Sequence, residues 1–193
     1  MGLFGKIKEL FSAKRYINRV MAEMDRQNER YAAMNEEELA LLSDDDLCSA
    51  ALYRIDQVIA ATLGKPSQAD PVEAMGLLND GQKTVFILAC WESELAGGGL
   101  CQFLTGDCGG LLPYISEMLN RTNAKEHLAL LCDFAKANAI DLTRPSPYTA
   151  KNEFEYAEQQ AKLPFADFNR AYRRLPSLEL FIVNYIRDNL SCF

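Results

Sequence analysis

The sequence predicts an all-α protein, an irregular multi-helix bundle carrying an amphipathic helical extension at its N-terminus. Two observations carry that prediction. Apolar and β-branched residues recur at three- and four-residue spacing through most of the chain, and strict alternation, the mark of a half-buried strand, is nowhere sustained. Cap and stop residues stand between the periodic segments, among them Ser43, Gly64, Asp70-Pro71, Asn123 and the loop Arg144-Pro145-Ser146-Pro147. There is no internal repeat and no low-complexity segment.

Residues 3–30 place Leu3, Phe4, Ile7, Leu10, Phe11, Ile17, Val20, Met21 and Met24 near a 3.6-residue period. Such a stripe predicts a helix that packs on the body or on a second copy of the chain, so a homodimer is one expectation. Peripheral membrane contact through residues 2–21 is the alternative, given Gly2, Phe4, Phe11 and the lysines. The chain divides accordingly into a basic amphipathic helix, residues 1–35, and an all-helical domain, residues 36–193.

An acidic connector follows, Glu36-Glu37-Glu38 and then Ser43 before Asp44-Asp45-Asp46. Ser43 or Asp44 serves as N-cap, and the acids suit the positive end of the helix dipole. This helix runs to about Leu63, burying Leu47, Ala51, Ile55, Val58 and Ile59, with Gly64 as its stop and Pro66 against continuation. Asp70-Pro71 opens a short helix in cap-then-proline order. Residues 80–96 form the most apolar helix, which breaks at Gly97-Gly98-Gly99 and resumes at Leu100-Cys101-Gln102-Phe103-Leu104. A helix over 110–122 tolerates Pro113 only in its first turn. Asn123 with Glu126 reads as a cap pair opening a helix to about Asn138. Helices over 150–161, 165–174 and 177–190 complete the chain.

At 193 residues, with 49% hydrophobic and 24% charged content, the chain is long and apolar enough for a packed core. Its longest apolar run, Val85–Trp91, is seven residues. A bilayer span needs roughly 20. No segment has the layout of a secretion signal, so a cytoplasmic location is expected. Twenty basic and 27 acidic side chains give a net charge of −7. That balance argues against direct nucleic-acid binding, which draws its affinity from cations on phosphates. The charge is also uneven: residues 1–20 carry five bases and one acid, and the remainder 15 bases and 26 acids.

No catalytic constellation is present, and a non-enzymatic protein is expected. Cys48, Cys90, Cys101, Cys108, Cys132 and Cys192 include no CxxC pair, and His127 is the single histidine, so neither metal nor cofactor is expected. Cys48, Cys90 and Cys132 fall in apolar helical patterns and read as core thiols. Cys101 and Cys108, in a Gly-rich stretch, are the pair to watch for redox behaviour. His127 reads as a partly exposed helix residue, and no nucleophile turn accompanies it. The glycines at 97–99 lack the Lys-Ser/Thr of a phosphate loop and mark a helix end. Glu92 and Glu94, two apart, cannot share a helix face; Glu94 is expected to turn inward and take donors from the Gly-rich turn and Gln102.

Glu94-Leu95-Ala96-Gly97-Gly98-Gly99-Leu100-Cys101-Gln102-Phe103-Leu104 resembles the signature of the DNA-mimic protein 19-like family. The match holds at Glu94, Gly98, Gly99, Gln102 and Phe103. It departs at Gly97 and Gly106, where the family usually has Asn, and at Leu100, usually Phe. Asp80–Phe86, Phe165–Tyr172 and Tyr185-Ile186-Arg187 also look like the family, so the resemblance spans about residues 44–193. It implies an all-helical, often dimeric fold without known catalysis, in which one type of member imitates DNA with acidic side chains and occupies a DNA-binding protein. Glu36, Glu37, Glu38, Asp44, Asp45 and Asp46 are the densest acids here and the expected contact surface for a basic protein partner. A toxin-neutralising immunity-type protein is the alternative.

Overall fold

A computed structural model describes residues 22–193. The elements are α1 (22–33), α2 (Glu36–Ala40), α3 (Asp44–Leu63), α4 (Pro71–Gly76), α5 (Asp80–Gly97), α6 (Leu100–Thr105), α7 (Leu112–Arg121), α8 (Lys125–Ala137), α9 (Glu153–Lys162), α10 (Phe165–Tyr172) and α11 (Leu178–Asp188). Among the described residues every regular element is helical. Residues 2–21, to which membrane contact was assigned, lie outside the described part. No described helix is long and apolar enough to cross a membrane.

Helix α5 is the centre, touching α3, α4, α6, α7 and α11. It can be surrounded because its apolar residues wind nearly all the way round: Val85, Ile87, Leu88, Trp91 and Leu95 are buried. Trp91, fully buried, meets Phe103 of α6 edge-on at 4.7 Å and Phe168 of α10 at 6.5 Å. Phe168 in turn meets Phe134 of α8 at 5.2 Å. This aromatic run ties four helices together with pairs worth about 0.5–1.5 kcal/mol each beyond their area.

Local chemistry opens five of these helices. Asn35 and Glu38, and likewise Asn79 and Gln82, form reciprocal capping boxes for α2 and α5. Ser43 rather than Asp44 caps α3, Asp70 caps α4 and Asn152 caps α9. Gly64 ends α3 at φ 81° and ψ −116°, glycine's territory although outside the compact left-handed well. The start of α5 is closed from far along the chain. Asn79 Nδ2 donates to the Cys192 carbonyl at 2.8 Å, and a Cβ on Gly81 would fall 2.5 Å from Cys192 Cβ.

Three expectations are corrected. Asn123 does not cap α8, whose N-cap is Ala124 with no side-chain bond. Asn123 instead adopts φ 59° and ends α7, with its N–H donating to Asn120 O and the Ala124 N–H to Leu119 O. That is the paired bonding of a left-handed helix stop, a role Asn shares with glycine. The cysteines are inverted: Cys101 and Cys108 are buried, Cys48 and Cys90 are half-buried, and Cys132 is exposed, one residue off the buried Leu131. His127 is 2% exposed.

Helix α8 ends in the same way as α7, with the Ile140 N–H donating to Ala135 O at 2.9 Å. Here the left-handed residue is Ala139, at φ 53° and exposed. A Cβ costs about 1–2 kcal/mol in that conformation, and glycine's extra freedom when unfolded gives back about 0.4–1. Ala139→Gly should therefore raise unfolding free energy by about 0.5–1 kcal/mol, read from urea denaturation at constant slope. A lower midpoint would show that Ala139 is not strained.

Candidate functional site

The six acids of the connector do not act alike. Glu38 is drawn into the capping box, accepting the Asn35 N–H at 2.9 Å. Asp44 takes Arg187 of α11 at 2.6 Å, and the same guanidinium reaches the Leu42 carbonyl at 3.0 Å. Asp46 accepts the Tyr31 hydroxyl and the Ser43 hydroxyl, each at 2.9 Å, and these bonds hold its carboxyl below the usual range. Glu36, Glu37 and Asp45 are left exposed, with no hydrogen bond or ion pair among the described residues. Asp45 and Glu179 of α11 both lie near enough to the Cys48 thiol to add to the upward push of its burial. Two carboxylates from distant parts of the chain thus both act on this one thiol.

The Gly-rich turn lies on another part of the molecule. Gly99 has φ 79°, and a Cβ there would collide with the Asn169 carboxamide. Asn169 Oδ1 accepts the Leu100 N–H at 3.0 Å, standing in for a cap on α6, whose preceding glycine offers none. Tyr156 of α9 donates to the Gly98 carbonyl at 3.2 Å, and the Gln102 side chain lies against Gly97 and Gly98. Gly98, Gly99, Gln102 and Phe103 thus meet in one place, with Phe103 buried beneath the turn.

Glu94 does not find the donors expected of it. The Gly98 and Gly99 N–H groups go to its own backbone carbonyl, and its carboxylate sits beside the Cys108 thiol and Gly106. The bonded carboxylate is that of Glu92, which accepts the Tyr172 hydroxyl at 2.5 Å, while Trp91 Nε1–H donates to the Tyr172 oxygen at 3.2 Å. Burial, with Glu92 second, pushes the Tyr172 phenol far above its usual value, so it stays a donor. Arg173, Leu95 and Pro176 complete a cleft of about 370 Å³ around this pair.

The thiols beside the turn are poor nucleophiles. Cys108 is pushed up by the adjoining Cys90 thiol, then by burial and Glu94; Cys101 is pushed up by burial. All six cysteines are free, and the thiol adjoining Cys108 is that of Cys90. No group of three or more His, Cys, Asp or Glu side chains among the described residues is placed to hold a metal ion.

Asn169, Tyr156 and Tyr172 were not singled out as site residues. Asn169 and Tyr172 sit in the Phe165–Tyr172 segment that resembles the family, and no spacing rule links them to a turn some 70 residues earlier. A family model described as DMP19-like protein matches residues 76–189, a span that includes the turn and Asn169. The chain belongs to this family. No curated protein and no solved structure matches it. The match to the DMP19-like family starts at Gly76, so the acidic connector lies outside it.

Two measurements probe this part of the DMP19-like domain. Asn169→Ala leaves the Leu100 N–H without its acceptor and should cost about 1–2 kcal/mol in urea unfolding. Equal stability would mean that water replaces the carboxamide. His127 packs edge-on against Tyr172 at 5.2 Å and Phe181 at 5.6 Å, and its buried Nδ1 has no partner. Burial lowers its pKa, against the smaller pull of the Pro176 carbonyl and Glu126. Its unfolded value of about 6.5 then lies above the folded one, so the unfolded chain takes up the proton first. Stability is full above that value and should fall as pH drops from about 6.5 toward 5, before most carboxylates titrate. His127→Phe should flatten the slope in that window; an unchanged slope would assign it elsewhere.

Proposed function

We propose that this protein acts by binding another protein whose contact surface is basic, and that a DNA-binding protein is the class of partner that fits. The observation carrying this reading is the charge of the described body. Residues 22–193 hold 26 carboxylates against 15 bases, with Glu36, Glu37 and Asp45 exposed at the starts of two consecutive helices. Arg54, which by position would interrupt the anionic patch, is turned to the backbone carbonyls of Tyr31 and Met34. Arg187 is likewise engaged by Asp44. Two nearby cations are thus occupied internally, and the three free acids face solvent.

Membership in the DMP19-like family supports the same reading, because DNA mimicry is what resemblance to that family implies. The free acids sit close together in the chain, Glu36 and Glu37 side by side on α2 and Asp45 in the first turn of α3. Duplex DNA presents a charge about every 1.7 Å of axis over two strands. Attraction between such a patch and a basic groove acts mainly on encounter rate and weakens with salt.

The test is competition. A basic DNA-binding protein from the source cell is held on fluorescent duplex and titrated with the full chain. Release of the duplex is expected, with a midpoint that rises as salt goes from about 50 to about 300 mM. Replacing Glu36, Glu37 and Asp45 by Lys should raise the midpoint at least about tenfold, and Asp44→Asn, at an acid already paired internally, should change it little. Failure to release the duplex, or equal release by the triple variant, would remove the acidic patch from the account.

A further inference from the structure

The cleft beside Tyr172 takes no part in the acidic patch, and its walls carry opposite charges that do not meet. Glu92 comes from α5 and Arg173 from the end of α10, and Leu95, Ala96, Pro176 and Leu178 supply apolar wall. Elsewhere on the described surface an arginine with a carboxylate in reach takes it. Arg121 takes Glu117 at 2.6 Å, Arg170 takes Asp167 at 3.6 Å and Arg187 takes Asp44 at 2.6 Å. Glu92 and Arg173 line one cavity of about 370 Å³ and form no ion pair. The Arg173 guanidinium has no hydrogen-bond partner among the described residues.

The two charges are held differently. Glu92 is half-buried, and its Oε2 is fixed by the Tyr172 hydroxyl at 2.5 Å. That hydroxyl is itself pinned, because Trp91 Nε1–H donates to its oxygen at 3.2 Å. The Tyr172 ring packs against Trp91 at 6.3 Å, His127 at 5.2 Å and Phe168 at 6.0 Å. Glu92 Oε1 has no partner among the described residues, so Tyr172 meets only part of what a half-buried carboxylate needs. Arg173 is exposed. Four residues on, Ser177 stands at the N-cap of α11, yet its side chain makes no capping bond. The cleft therefore offers a fixed acceptor for a cation, adaptable donors for an anion, and apolar surface. A lone cation meets repulsion from Arg173 and a lone anion meets repulsion from Glu92, so a molecule carrying both charges is the one that satisfies both.

We propose that this cleft binds a free α-amino acid with an apolar side chain, its ammonium on Glu92, its carboxylate on Arg173 and Ser177, and its hydrocarbon against Ala96, Leu175 and Pro176. The volume is suitable, since small-molecule pockets begin at about 300 Å³. One carbon separates the two charged groups of an α-amino acid, so both can be engaged within a single small cleft. The inference goes beyond the proposed partner binding and does not depend on it, because Glu36, Glu37 and Asp45 do not line the cleft.

Isothermal titration of the full chain with L-leucine, L-methionine and L-phenylalanine should give a Kd below about 1 mM for at least one of them. The amide of that amino acid lacks the carboxylate and its deaminated acid lacks the ammonium; each should bind at least about tenfold more weakly. Arg173→Gln should weaken the amino acid at least about tenfold while leaving the amide unchanged. Glu92→Gln keeps an acceptor for Tyr172 and should weaken the amino acid at least about tenfold while leaving the deaminated acid unchanged. Arg174→Gln, at an exposed neighbour that does not line the cleft, should bind as the parent does. The urea midpoint of Arg173→Gln should equal that of the parent, because the side chain it replaces is exposed and unpaired. Absence of binding to all three amino acids up to about 10 mM overturns the proposal. Equal affinity for an amino acid and its amide also overturns it, and so does parent-like affinity in Arg173→Gln, which would put the site elsewhere.

Discussion

The burial of Trp91 depends on a reversal of the chain six residues later. An indole on a central helix needs cover from more than its own neighbours, and α6 supplies Phe103 only by folding straight back across α5. That return is possible because Gly99 takes a positive φ and lets the Asn169 carboxamide approach its backbone. Asn169 belongs to α10, which also brings Phe168 and Tyr172 to the indole. One turn thus brings cover from two sides, and the polar bonds around it satisfy donors that the reversal would otherwise leave buried and unpaired.

The helices were legible in the sequence where local chemistry decides them. The ends of α3 and the start of α4 follow from Ser43, Gly64 and Asp70-Pro71, because a cap is a contact between residues two or three apart. Asn123 misled because the same amide side chain suits an N-cap and a left-handed stop. Which role it takes depends on where α7 runs out of partners, and not on Asn123 itself. Ala139 gave no signal, since alanine is chosen for that conformation by nothing local.

The candidate site was legible in part. The turn glycines, Gln102 and Phe103 were found from their pattern, whereas Glu92 and His127 were misjudged for one physical reason. Each lies on a helix whose other side is settled by α10 or α11, elements formed 45 or more residues downstream. The choice between Glu92 and Glu94 turns on the position of the Tyr172 hydroxyl. The burial of His127 turns on Tyr172 and Phe181. In the acidic connector the sequence shows six equal charges, and the fold divides them by engaging three in caps, a tyrosine bond and an ion pair.

The bond from Asn79 to the Cys192 carbonyl bears on how the protein is made. The central helix opens against a backbone 113 positions away, and Gly81 is tailored to the side chain that arrives there. During synthesis α5 leaves the ribosome long before that neighbour exists, so its entrance stays wet and its apolar circumference unsheltered while the rest is translated. Closure of the bundle is thus a late event, and a nascent chain stalled short of this segment is a natural client for chaperones.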